Sequence, residues 1–176
     1  MIAWEEIERA EVPDGEEEVI LRKRGTEFSI RVAATELMNS RSHGSEDALA
    51  ELTCSRISRK RGRKILIGGL GMGYTLAAAL QHSGDDSLIT VAELIPAVIR
   101  WNREHLGHLA GHPLADGRVL VRPEDVAETS AREKSIWDAI ILDVDNGPDG
   151  LTRKVNDRLY GLSGLQNAFL ALRTGG

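Results

Sequence analysis

A chain of 176 residues, 41% of them hydrophobic, is long enough for one good core and too short for two ordinary domains. Its 22 Lys and Arg stand against 27 Asp and Glu, a net charge of −5 that argues against nucleic acid or an anionic membrane surface as main partner and favours small molecules. The single cysteine, Cys54, leaves no internal disulfide and no cysteine zinc site, which fits a reducing compartment.

The opening MIAWEEIERAEVPDGEEE is acidic where a signal peptide is basic and then apolar. No run approaches the roughly eighteen apolar residues of a membrane span, so the chain reads as cytoplasmic. Next, EEVILRKRGTEFSIRVA has two β-rich runs about Gly25-Thr26 and predicts a hairpin. Residues 1–44 are read as a small N-terminal β-hairpin extension. SEDALAELTCSRI has helical spacing, with Ser45 as the expected N-cap.

From residue 64 the pattern changes to short apolar runs, each followed by a helical segment. KILIGG leads into GYTLAAALQH, LITVAE into IPAVIRWNREHL, RVLV into PEDVAETSARE, and WDAIILD into a loop and LSGLQNAFLALR. Continuous apolar strands alternating with helices predict an α/β fold, a doubly wound parallel sheet covered on both faces, over residues 45–176. The last helix runs into LRTGG, and Gly there turns a chain toward a next element. Further C-terminal strands, or a partner chain in a homodimer, are therefore expected to cover the open sheet edge.

IGGLGMGY sets Gly69, Gly71 and Gly73 between a strand and a helix, where backbone N–H groups can approach a ligand. Glu93 ends the second strand, where an acid in this topology accepts ribose hydroxyls. Asp125 follows the third strand, and Asp143 and Asp145 follow the fourth. Four strands that each end in glycine or acid predict a nucleoside site. A dinucleotide fingerprint asks for a third small residue where Tyr74 stands, which disfavours NAD. The GxGxG spacing resembles the first motif of S-adenosylmethionine-dependent transferases and their Rossmann-like fold.

Taken together, ILIGGLGMG, ITVAELIPAVI, DGRVLVRPEDV and WDAIILDVDNGP resemble the glycine, ribose, adenine-side and catalytic segments of the spermidine synthase (polyamine aminopropyltransferase) family. The likeness runs over roughly residues 64–176. It implies S-adenosylmethionine or its decarboxylated form as co-substrate, without a metal, and transfer of an aminopropyl group to a small amine. Glu93 then takes the ribose, Asp125 sits by the adenine, and Asp143 holds and deprotonates the amine. Asp145 and Asn146 orient that amine, and Tyr160 is a further substrate contact.

The chain departs from the family pattern in three places, one of them Asn146, which stands where the family loop has its second acid, with Asp145 beside it. Gly71 stands where the family has an Asp for the aminopropyl amine, and a family Tyr-His pair falls near Ser45 and Glu46. Methyl transfer on the same pocket, or a ligand-binding module without chemistry, are the alternatives. His105, His108 and His112 have helical spacing for a metal, but Gly107, Gly111 and Pro113 interrupt that helix. His43 and His82 read as surface or helix-end residues.

Overall fold

The computed structural model describes residues 2–13, 17–57, 61–144 and 159–176. Among the described residues, eight strands form two sheets of four. The first is an antiparallel meander of β1 (Glu5–Glu11), β2 (Glu18–Arg24), β3 (Glu27–Val32) and β4 (Thr35–Asn39), in that order. The expected hairpin is β2–β3, with Arg24 opposite Glu27 across the Gly25-Thr26 turn. The extension therefore has twice the strands that the sequence pattern showed. β1 buries none of its residues, so EEIERAE carries no alternation to read, and it is held at the edge by pairing with β2 and by Arg9 bonds to Glu6 and Glu18.

The second sheet is parallel, with strand order β7-β6-β5-β8: β5 (Lys64–Gly68), β6 (Leu88–Ala92), β7 (Val119–Arg122) and β8 (Ala139–Leu142). The chain moves outward from β5 to β7, then crosses back to place β8 on the other side of β5. Helices α1 (Gly44–Arg56), α2 (Tyr74–His82), α3 (Pro96–Trp101) and α4 (Val126–Arg132) lie between successive strands, and α5 (Leu162–Ala171) follows β8. This is the expected doubly wound α/β arrangement.

Pleating divides the central strand between two cores. Ile65 and Ile67 face a cluster with Ala50, Cys54, Leu76, Ile89, Trp101 and the apolar face of the meander. Leu66 faces the other cluster, with Val126, Trp137, Leu159 and Ala171. All three β5 side chains are fully buried, which is why KILIG reads as a continuous apolar run.

Local details differ from the sequence reading. The cap position of α1 is His43, and the Ser45 hydroxyl bonds to Glu46. The expected helix over 95–106 changes at Asn102 to a π-helical turn (Asn102–Leu106) and then to short 3-10 turns around left-handed Gly111 and His112. At the outer edge, Leu172 bridges to Trp137 in parallel, just before β8 begins. No described helix is long and apolar enough to cross a membrane.

Candidate functional site

The site is built at the C-terminal end of β5, where strand order reverses. Gly69, Gly71 and Gly73 all have left-handed φ, at +92°, +51° and +86°. At Gly69 the lack of a side chain is obligatory, because a Cβ would lie 2.2 Å from the Asp143 carbonyl oxygen. The loop from β5 thus rests directly on the end of β8, tied by Asp143 N–H to Gly68 O at 2.8 Å. At Gly71 a Cβ would meet Met38 Sδ at 2.8 Å, so a residue of the meander fills the direction in which a side chain would project.

Glu93 closes the opposite side of the loop. It is 7% exposed, and its carboxylate accepts Leu70 N–H and Ile95 N–H, each at 2.8 Å. Burial pushes this carboxyl above its ordinary value, and the backbone amides of Ile95, Leu70 and Gly71 pull part of the way back. A carboxylate has about four acceptor positions, so three backbone donors leave room for a ligand hydroxyl. Sequence reasoning assigned Glu93 to a ribose and missed this second task, fixing the glycine loop.

Asp143 lies across β5 from Glu93, at the end of β8. Its Oδ2 accepts the hydroxyl of Thr75, in the first turn of α2, at 2.5 Å. Burial raises the Asp143 carboxyl, the Thr75 bond lowers it, and the charge of Glu46 at the start of α1 raises it again. Tyr160 stands close enough that its hydroxyl is pushed up by burial and by the Asp143 charge. Tyr74 precedes Thr75 in α2: its ring stacks on His43 at 4.3 Å, its hydroxyl donates to Ser40 O, and His43 Nδ1 bonds Asp47 at 2.8 Å. Burial and the charges of Glu46 and Asp47 raise the Tyr74 hydroxyl too.

The structure therefore gathers Gly69, Gly71, Gly73, Glu93, Asp143 and Tyr160 at one end of the sheet. Asp125 caps α4, its Oδ1 accepting Ala127 N–H at 2.7 Å, and the next residue, Val126, packs against Gly68. Asp145 and Asn146 lie outside the described residues. Met38, His43, Glu46 and Thr75 were not singled out as site residues from the sequence. His43 had at least a readable sign, an acid four residues on at Asp47, whereas Thr75 and Asp143 are 68 residues apart.

The three spaced histidines do not converge. His105 lies with Glu8 and Glu104, His108 meets Phe28 edge-on at 5.7 Å, and His112 sits beside Gly107. Glu8 is itself bonded to Arg100 and to Trp101 Nε1.

The fold has counterparts among solved structures. A spermidine synthase crystallised with the transition-state analogue AdoDATO superposes with a TM-score of 0.72 at 17% identity, over 96% of this chain and 53% of that one. The spermidine synthase of Thermotoga maritima gives 0.73 at 18%, over 96% and 54%. The chain has a spermidine synthase-like fold. A probable spermidine synthase from Corynebacterium glutamicum gives 0.63 at 16%, over 96% and 60%. The chain thus spans 53 to 60% of the length of these spermidine synthases. No family model and no curated protein matches the sequence.

Proposed function

We propose that this chain is a cytoplasmic transferase that binds a sulfonium nucleoside of the S-adenosylmethionine type and passes an alkyl group, aminopropyl on the leading reading, to a small amine. The observation that carries it is the placing of Asp143 beside the glycine loop, with Glu93 on the loop's other side. Glycines without side chains and a buried acid at the neighbouring strand end suit a nucleoside. A carboxylate at the switch point suits an amine.

The chemistry asks little of the protein beyond position and one proton. The amine nitrogen attacks the carbon next to the sulfonium, the new C–N bond forms as the C–S bond breaks, and the sulfur leaves as a neutral thioether. Asp143 accepts the proton that the amine loses, for which its raised value is suited. Thr75 holds the carboxylate, and Glu46 and Asp47 add negative charge that favours a cationic ligand. Asp125, Asp145, Asn146 and Tyr160 complete the proposed contacts, and the active species is proposed to be a homodimer.

One observation favours a second reading. Met38 occupies the space beside Gly71, where the resemblance leads one to expect a carboxylate for the aminopropyl amine. Methyl transfer from S-adenosylmethionine needs no such group.

Calorimetry with S-adenosylmethionine, its decarboxylated form, methylthioadenosine and NAD separates these readings. Preference for the decarboxylated form or methylthioadenosine supports aminopropyl transfer, and preference for S-adenosylmethionine supports methyl transfer. Asp143→Asn should abolish turnover while leaving nucleoside affinity largely intact. Absence of binding by all four compounds would sink the proposal.

A further inference from the structure

The glycine loop is gripped a second time from the segment that follows β6. α3 ends at Trp101, and the π-helical turn begins on Asn102, a residue only 2% exposed. Turns of this kind are rare and recur at functional sites. Asn102 Nδ2 donates to Val98 O in α3 at 3.0 Å and to Gly71 O in the loop at 2.7 Å. Both partners are acceptors, which fixes the amide with its nitrogen toward them. Oδ1 is then buried without a partner, 3.1 Å from the place a Cβ would take on Gly73. That orphan acceptor offsets part of what the two donations contribute, so Asn102 is a costly way to add stability. Its distinctive effect is on the loop.

Gly73 N–H donates to Leu70 O at 2.8 Å, closing a turn whose central residues are Gly71 and Met72. Gly71 has φ +51° and Met72 is not left-handed, which is the II′ pattern. The peptide between them is the part of such a turn that can rotate, and rotation would carry Met72 into left-handed I′ backbone. Asn102 holds this peptide by its carbonyl, while Glu93 holds the two before it through Leu70 N–H and Gly71 N–H. A trans peptide sets its C=O and N–H on opposite sides, so the Met72 N–H points away from Asn102. Without Asn102, Gly71 O loses this donor. An unpaired carbonyl costs about as much as left-handed backbone at a non-glycine residue, so the loop would divide between the two turns.

We infer that Asn102 is a positioning residue that sets the direction of the Gly71–Met72 peptide and, through it, the affinity of the loop for a nucleoside. The second half of this inference rests on the transferase reading, and the first half does not.

Asn102→Leu keeps the branched shape and removes the donor. The test starts without ligand, as amide hydrogen exchange of the full chain followed by NMR. Gly73 N–H reports on the turn, and Ile89 N–H, bonded to Arg118 O, reports on the parallel sheet. Exchange at Gly73 should quicken by at least about tenfold relative to Ile89. A residue that only stabilises the fold would speed both amides alike, so an unchanged ratio overturns the inference. Calorimetry with methylthioadenosine and S-adenosylmethionine follows, with affinity expected to fall at least about tenfold in the variant. Equal affinities in the two proteins would overturn the second half. A wild type that binds neither compound sinks the transferase reading instead, and the exchange ratio alone then decides on Asn102. Should Asn102→Leu fail to fold, Asn102→Ala, which adds no bulk, is read in the same way.

Discussion

Thr75 Oγ1 donates to Asp143 Oδ2 at 2.5 Å, joining the first turn of α2 to the end of β8. Thr75 is 2% exposed, so no water replaces that donor easily. Of the effects on Asp143, the Thr75 bond is the one that lowers its carboxyl, against burial and the charge of Glu46. Thr75→Val keeps the shape and removes the donor. The acidic limb of the pH–rate profile should move to higher pH, and Thr75→Ser should return it. An unmoved limb in Thr75→Val would separate Thr75 from the ionisation of Asp143.

The same carboxyl makes a stability prediction. Because its value is raised in the folded chain, ionisation is easier in the unfolded one. Asp143 therefore lowers stability as pH rises from about 3.9, the unfolded value, through the folded value, and the full cost is present above that. Asn cannot ionise. Asp143→Asn should stabilise the protein at pH 7 by about 1 kcal/mol, the usual scale for relieving a functional residue. The gain should shrink as the pH falls toward 4. Urea unfolding at a series of pH values measures it, and a gain that grew on acidification would contradict the raised value.

The parallel sheet was legible because β5 and β6 bury side chains on both faces and β8 buries one face and half-buries the other, so KILIG, LITVA and AIIL stand out as apolar runs. The acids at the strand ends were legible for the related reason that polar groups after a buried strand mark where it emerges. β1 was not, since an edge strand with no buried residue leaves no period in EEIERAE. Met38 and Thr75 were not either. Each meets the site through tertiary packing, Met38 at Gly71 and Thr75 at Asp143, and nothing local to TELMN or GYTLA encodes that contact.

Two glycines of the loop should differ sharply on substitution. At Gly71 an added Cβ meets the end of a flexible Met38 side chain, with left-handed backbone. Gly71→Ala should lose about 2 kcal/mol, of which about 1 kcal/mol is the left-handed conformation itself, and Met38→Ala should recover only the steric part. At Gly69 the added Cβ meets the backbone carbonyl of Asp143, which cannot step aside without breaking the join between β5 and β8. Gly69→Ala should lose more than about 4 kcal/mol, in the exceptional range for one substitution. Urea midpoints of the three variants and the double Gly71→Ala/Met38→Ala protein check the order, and equal losses at the two glycines would refute it.

Glu8 fastens the edge of the meander to the parallel domain. Trp101 is fully buried, and its indole N–H donates to Glu8 Oε2 at 2.8 Å, while Arg100 takes the other carboxylate oxygen. The Arg100 hydrogen bond chiefly, and then that of Trp101, hold the Glu8 carboxyl below its ordinary value against burial. A lowered carboxyl contributes stability that is full above its unfolded value, about 4.3, and is lost as pH falls through the folded value. Glu8→Ala leaves a buried indole N–H unpaired and should lose about 2 kcal/mol at pH 7. Glu8→Gln keeps an acceptor for the indole and should lose less, with little of the acid dependence. Measured by urea unfolding between pH 7 and pH 3.5, the wild type should converge on Glu8→Gln as the pH falls. A gap between them that persisted at the acid end would mean that the charge of Glu8 is not what joins β1 to α3.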